Sequence, residues 1–174
     1  MFIDIQKFHT VFNHPVSNTP THMDDKSSVN RMNFKGEELV EFLRATFSDD
    51  KQFKESINQL MTALEEAKEK ELAGGPVEDK LIGQADALTD ILVFVMGSFV
   101  QMGIEPYQLF KIVHEANMGK LWPDGKPRFR DGDGKIVKPE NWERDYAPEP
   151  KLREEIKRQI AASLTNCNEG VEHE

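Results

Sequence analysis

The chain has 174 residues, 38% of them hydrophobic, with 22 basic against 31 acidic side chains and a net charge of −9; that length suits one domain with its own core, or one domain with tails. The acidic balance argues against a broad nucleic-acid surface, which needs a basic face, and admits a small charged substrate where a local basic patch offsets it. Cys167 is the single cysteine, so no intrachain disulfide framework can form, which fits a reducing cytoplasm.

The opening Met1-Phe2-Ile3-Asp4 lacks the basic-then-apolar pattern of a signal peptide. Phe2, Ile5, Phe8 and Phe12 mark a first short helix, and His14 to Pro20 reads as a connecting loop. A second helix is predicted from about Lys26 to Phe47, with Met32, Leu39, Phe42, Leu43 and Phe47 toward the core. Ser48-Asp49-Asp50 reads as a break and N-cap for a third helix, whose apolar stripe is Phe53, Ile57, Leu60, Met61 and Leu64 and which Gly74-Gly75-Pro76 stops.

The fourth helix, about Val77 to Met102, is apolar on most sides and is expected to be central. Its segment Leu81 to Ile104 is the one membrane suspect. Asp86 and Asp90 interrupt it, at about 2.5–3.5 kcal/mol each at a bilayer centre, and the uncharged remainder is too short to span comfortably. A buried core helix is the better reading, with no membrane partner. Pro106 opens a fifth helix with Leu109, Phe110 and Val113 inward. From Leu121 to Pro150 the helical period disappears, and Pro123-Asp124-Gly125 and Asp131-Gly132-Asp133-Gly134 signal turns of a small hairpin or ordered loop. Leu152, Ile156, Ile160 and Leu164 define a last helix, and the tail after Thr165 is expected to be disordered.

Two carboxylate pairs stand out. Glu38 and Glu41 are spaced i, i+3 on the second helix, and Asp86 and Asp90 are spaced i, i+4 on the fourth. Each spacing puts both acids on one helix face. The second pair sits in an apolar context where burying an uncompensated carboxylate is costly. Four such acids gathered between helices need a cation, and hard oxygen donors suit Mg²⁺, with Mn²⁺ as a substitute. The plainer alternatives are a solvated face for Glu38 and Glu41, and pairing of Asp86 and Asp90 with a basic residue from another helix.

Lys120, Lys126, Arg128, Arg130, Lys135 and Lys138 make residues 120–138 the one locally basic region. It could close over a polyphosphate and screen its charge, or be a solvated loop. Trp122 and Trp142 flank it; either could stack on a base, and anchoring the loop suits at least one of them better. His114 reads as a packed or surface histidine. Asp131-Gly132-Asp133-Gly134 is not a calcium loop, since Lys135 and Trp142 occupy the fifth and twelfth positions, which need oxygen donors. The chain carries no GxxxxGK[ST] phosphate loop.

Glu37-Glu38-x-x-Glu41 on one helix, the acids with Asp90-Ile91 on a later apolar helix, and Asn117-x-x-Lys120 beyond it resemble the all-α NTP pyrophosphohydrolases, over roughly Asn30 to Lys120. That superfamily includes the MazG-like proteins, the all-α dUTPases and phosphoribosyl-ATP pyrophosphohydrolase. Val113 to Trp142, with Glu115-Ala-Asn-Met-Gly-Lys-Leu121, is similar to a MazG-related, phosphoribosyl-ATP pyrophosphohydrolase-like subgroup. The resemblance implies Mg²⁺-dependent cleavage between the α and β phosphates, releasing a nucleoside monophosphate and pyrophosphate. It also implies a homo-oligomer, a dimer or a dimer of dimers, with sites near the subunit interface. It casts Glu38, Glu41 and Asp90 as metal ligands, with Asp86 as the fourth by substitution, Glu37 with Glu38 as the residues that orient or deprotonate the attacking water, and Asn117 and Lys120 as substrate contacts, to which the basic loop would add Lys126 and Arg128. Asn117 could equally cap its helix. One departure stands: the usual second motif is Glu-x-x-Asp, and here Ala87 is three before Asp90 while the acid is Asp86. Both offsets share a face, so Asp86 can substitute.

The expected protein is an all-α helical bundle of five to six helices, one domain over residues 1–165 with a tail at 166–174. The expected activity is housekeeping of (d)NTP pools. Phosphoribosyl-ATP hydrolysis in histidine synthesis is the alternative substrate, and a non-catalytic nucleotide- or partner-binding bundle the alternative class.

Overall fold

The computed structural model describes residues 1–132 and 134–169, with side chains through Thr165. The architecture is all-α, as the periodicity predicts. The helices are α1 (Phe2–Val11), α2 (Asp25–Thr46), α3 (Asp50–Gly74), α4 (Lys80–Met102), α5 (Pro106–Met118), the short α6 (Trp142–Asp145) and α7 (Pro148–Glu169). The chain divides into two compact units, Thr19–Thr89 and Met1–Asn18 with Asp90–Glu174. α4 contributes residues 80–89 to the first and 90–102 to the second.

In the unit 19–89, α2 packs on α3. Side-chain caps set where the helices begin. Asp24 accepts from Ser27 N, and Asp49 from Lys51 N and Gln52 N; each such cap stabilises its helix by about 1 kcal/mol. Gly75 ends α3 at φ 81°, a left-handed backbone that a side chain would strain. α4 starts at Lys80 rather than near Val77, because Asp79 takes the N-cap: its carboxylate accepts from Leu81 N and Ile82 N. Arg44 joins α2 to α3, pairing with Asp50 at 2.9 Å and lying over the Phe53 ring.

In the other unit, α5 packs on both α7 and α1. Phe12 is fully buried against Phe8, ring centroids 4.4 Å apart. Pro106 stands in the first turn of α5, and Glu105 caps it by accepting from Tyr107 N. Residues 121–132 and 134–138 form a hairpin-like turn: Phe129 and Ile136 make an antiparallel bridge, Arg130 N donates to Lys135 O and Val137 N to Arg128 O. Asp133, one residue of the predicted turn, lies outside the described residues. The last helix begins at Pro148 and runs through Glu169, so its end lies beyond the predicted boundary at Thr165; residues 170–174 lie outside the described residues.

The fourth helix corrects the expectation of a central core element. Among the described residues none of α4 is buried, and Phe94 and Val100 are 75% and 77% exposed. It is long and apolar enough to cross a membrane by length and composition. Apolarity shows that a helix wants cover, and does not say whether its own chain supplies it. Asp86 and Asp90 are exposed too, so the chain alone does not incur the cost of burying them.

Candidate active site

α2 carries Glu37, Glu38 and Glu41 on its exposed surface. Glu38 and Glu41 share a face, and Glu37 points about 100° away. Lys35 stands three residues before Glu38, on that same face, and sequence reading passed over it. Its Nζ donates to Arg31 O at 3.3 Å. Partial burial, and then the Arg31 charge, push its ammonium below the usual lysine range. The i, i+3 spacing to Glu38 was the available signal for this cation.

α4 presents its acids on the side opposite its half-buried face. Leu81, Gln84 and Leu88 form its half-buried face. Gln84 is held there by three hydrogen bonds: Met23 N donates to its Oε1 at 2.8 Å, and its Nε2 donates to Met23 O at 3.2 Å and to Ser28 Oγ at 3.3 Å. At roughly 100° per residue, Asp86 and Asp90 fall on the opposite side of the helix, with Val93 and Val100. That geometry has a consequence for the metal expectation. Glu38, Glu41 and Asp86 lie in one unit, Asp90 in the other, and among the described residues no three of His, Cys, Asp or Glu come together. The donor chemistry suits a hard cation. Each pair could offer one edge of a coordination shell, and among the described residues no third carboxylate, histidine or cysteine joins it.

Asn117 and Lys120, at the end of α5, are brought together. Lys120 Nζ donates to Asn117 Oδ1 at 2.7 Å, in a partly buried setting. The two residues behave as one polar group, an amide with an ammonium held against it. Lys126 and Arg128 stand apart from it on the hairpin and are exposed. Arg128 lies over the Trp122 ring at 3.8 Å and pairs with Asp124 at 3.7 Å, while Trp122 Nε1 donates to Val137 O at 3.2 Å. Trp122 therefore braces the hairpin. Trp142 anchors the segment to α5, as expected for one of the two tryptophans. It is 6% exposed, and its Nε1 donates to Ala116 O at 2.8 Å. His114 is packed, stacked on Phe110 with its Nδ1 buried and unpartnered among the described residues.

The helical order, the acid pairs on α2 and α4 and the Asn117–Lys120 group define a class that comparison identifies. Residues 5–117 match the family model of phosphoribosyl-ATP pyrophosphohydrolase, and the chain belongs to that family. It is a pyrophosphohydrolase enzyme by that membership. A crystal structure from Exiguobacterium sp. 255-15, described as a "putative NTP pyrophosphohydrolase", is similar over 93% of this chain and 96% of its own, with 40% identity and a TM-score of 0.86. No curated protein gives a significant match.

Proposed function

We propose that the protein is a Mg²⁺-dependent nucleoside triphosphate pyrophosphohydrolase that splits the α–β anhydride to give a nucleoside monophosphate and pyrophosphate. Its role would be housekeeping of (d)NTP pools in the cytoplasm. The observation that carries the reading is the pair of two-carboxylate faces, Glu38 with Glu41 and Asp86 with Asp90, each open to solvent on a long helix of a chain in this family.

Glu38, Glu41, Asp86 and Asp90 would hold the ion, with Mn²⁺ as a substitute. Bound Mg²⁺ supplies a lowered water pKa and charge neutralisation on the phosphates. Glu37 and Glu38 would orient the attacking water, and Asn117 and Lys120 would bind phosphate or sugar, the amide by hydrogen bonding and the ammonium as a point charge. Lys126 and Arg128 would add positive field from the hairpin.

The chain would work as a homo-oligomer, a dimer or a dimer of dimers. Phe94 and Val100 stand exposed with the other apolar residues from Ile91 to Met96, a contiguous apolar surface of the kind that marks an interaction site, and Val100 shares its face of α4 with Asp86 and Asp90. Cover by a second copy would bury that face and set the acids at a subunit boundary. Lipid would not, because the same face would carry two carboxylates into hydrocarbon. The net charge of −9 argues against a nucleic-acid partner.

The test is pyrophosphate release, distinguished from orthophosphate, over a panel of canonical and modified NTPs and dNTPs and phosphoribosyl-ATP, with Mg²⁺, with Mn²⁺ and with chelator. Metal-dependent pyrophosphate from an NTP or dNTP is expected. Strong preference for phosphoribosyl-ATP would move the protein to histidine synthesis, a second reading that the family model's description favours.

A further inference from the structure

The last turn of α5 holds Asn117 and leads into Lys120, and all four of its terminal carbonyls are occupied. A helix leaves its last four C=O groups without intrahelical partners. Here Glu115 O accepts from Gly119 N at 2.8 Å, Asn117 O from Lys120 N at 3.2 Å and Met118 O from Leu121 N at 3.1 Å. Those three come from the chain as it turns away. The fourth, Ala116 O, accepts from the indole of Trp142 at 2.8 Å, 26 residues further on. Ala116 is 4% exposed, so water does not substitute for that donor.

Four residues after Trp142, Tyr146 closes on the same turn. Gly119 has an ordinary helical backbone, φ −63° and ψ −9°, so it is not a glycine for its conformational freedom. A Cβ there would lie 2.3 Å from both Cγ and Cδ1 of the Tyr146 ring. The glycine exists so that the ring can lie against the backbone. Lys138 adds a further tie: its ammonium sits 3.6 Å from the centroid of the Trp142 ring and 3.2 Å from Glu143 Oε1.

We propose that Trp142 and Tyr146 are positioning residues for the Asn117–Lys120 pair: the α6 segment clamps the end of α5 so that amide and ammonium meet the substrate phosphates in one fixed arrangement. This rests on the reading of that pair as a substrate contact. A lysine on a loose helix end samples many positions, and holding it in one pre-pays the ordering that binding would otherwise cost. The indole bond reaches the residue next to Asn117, and the Tyr146 ring covers the residue next to Lys120. Each clamp therefore acts one residue from a member of the pair.

The experiment uses the full chain and Mg²⁺–tripolyphosphate, the moiety common to every candidate substrate, titrated by calorimetry alongside thermal melting. Trp142→Phe keeps an aromatic ring, of smaller volume, and removes the indole N–H; Lys120→Met removes the ammonium. Each is expected to weaken binding by about tenfold to a hundredfold, and the double variant by no more than the worse single one, because both act through one group. If Trp142→Phe lowers the melting temperature and binds like wild type, or if the two losses add, the clamp is structural only and the proposal fails. If Lys120→Met binds like wild type, or wild type does not bind the probe, the substrate reading of the pair fails and takes the proposal with it. Should Trp142→Phe not fold, Tyr146→Leu replaces it, and unchanged affinity in that variant overturns the proposal.

Discussion

Gln159 of α7 pairs its side-chain amide with the backbone of Glu105 as one strand residue pairs with another. Glu105 N donates to Gln159 Oε1 at 2.9 Å, and Gln159 Nε2 donates back to Glu105 O at 2.9 Å. Glu105 is the N-cap of α5, so the bond pair pins the start of α5 to α7 while Trp142 pins its end. Gln84 makes the same exchange with Met23 in the other unit. Gln159→Met keeps the length and removes both bonds. At about 1 kcal/mol net per hydrogen bond, discounted for exposure, the melting temperature should fall by a few degrees. An unchanged melting curve would show that water replaces the amide at no loss.

The acid pairs make the sharpest functional prediction. Glu41→Gln and Asp90→Asn keep shape and remove charge at exposed positions, so circular dichroism should be unchanged. Turnover in Mg²⁺ should fall by at least about a hundredfold, the scale on which preorganised charge stabilisation acts. Rates near wild type in both variants would remove these residues from the site.

Gly119→Ala should destabilise the protein through its clash with the Tyr146 ring. Overpacking of this kind costs typically about 1–3 kcal/mol. In a Tyr146→Ala background the same substitution should cost much less, because the ring it meets is gone. Equal costs in the two backgrounds, measured by denaturant unfolding, would mean that the glycine serves something other than the ring.

Acid should destabilise α7 through Glu155. Its hydrogen bond to Arg158, and then that to Gln159, hold its carboxyl down from 4.5 to about 2. A depressed folded-state pKa contributes stability that is complete above the unfolded value and lost as pH falls through the folded one. The loss should therefore run from about pH 4.5 down to about 2. Arg158→Ala should bring the Glu155 titration, followed by NMR, back toward the ordinary glutamate range. A titration that stays low in that variant would assign the effect to Gln159.

Phe94→Glu and Val100→Glu place charge on the most exposed apolar positions of α4. If a second copy covers this face, each should shift the protein toward monomer in light scattering. An oligomer unaffected by both would place the interface elsewhere.

The helices were legible because their ends are written locally. Asp49 caps α3, Pro106 opens α5 and Gly75 closes α3, each through backbone groups within a few residues of itself. The apolar period alone extends α4 back to Val77, whereas Asp79 caps it as Asp49 caps α3 and sets its start at Lys80. α6 has four residues, too few to show a period. The acid pairs were legible as pairs, since i, i+3 and i, i+4 are properties of one helix.

The sequence by itself determined the class of fold, the order of the long helices, the pairing of acids on α2 and α4, and the resemblance that family membership bears out. Those depend on interactions over three or four residues, which periodicity and capping encode. Only the tertiary structure decided that Gln84 fixes the half-buried face of α4 opposite Asp86 and Asp90, that no residue of α4 is buried among the described residues, and that Trp142 completes the end of α5. Those depend on which distant groups satisfy a buried carbonyl or cover an apolar face, and no local spacing records the partner.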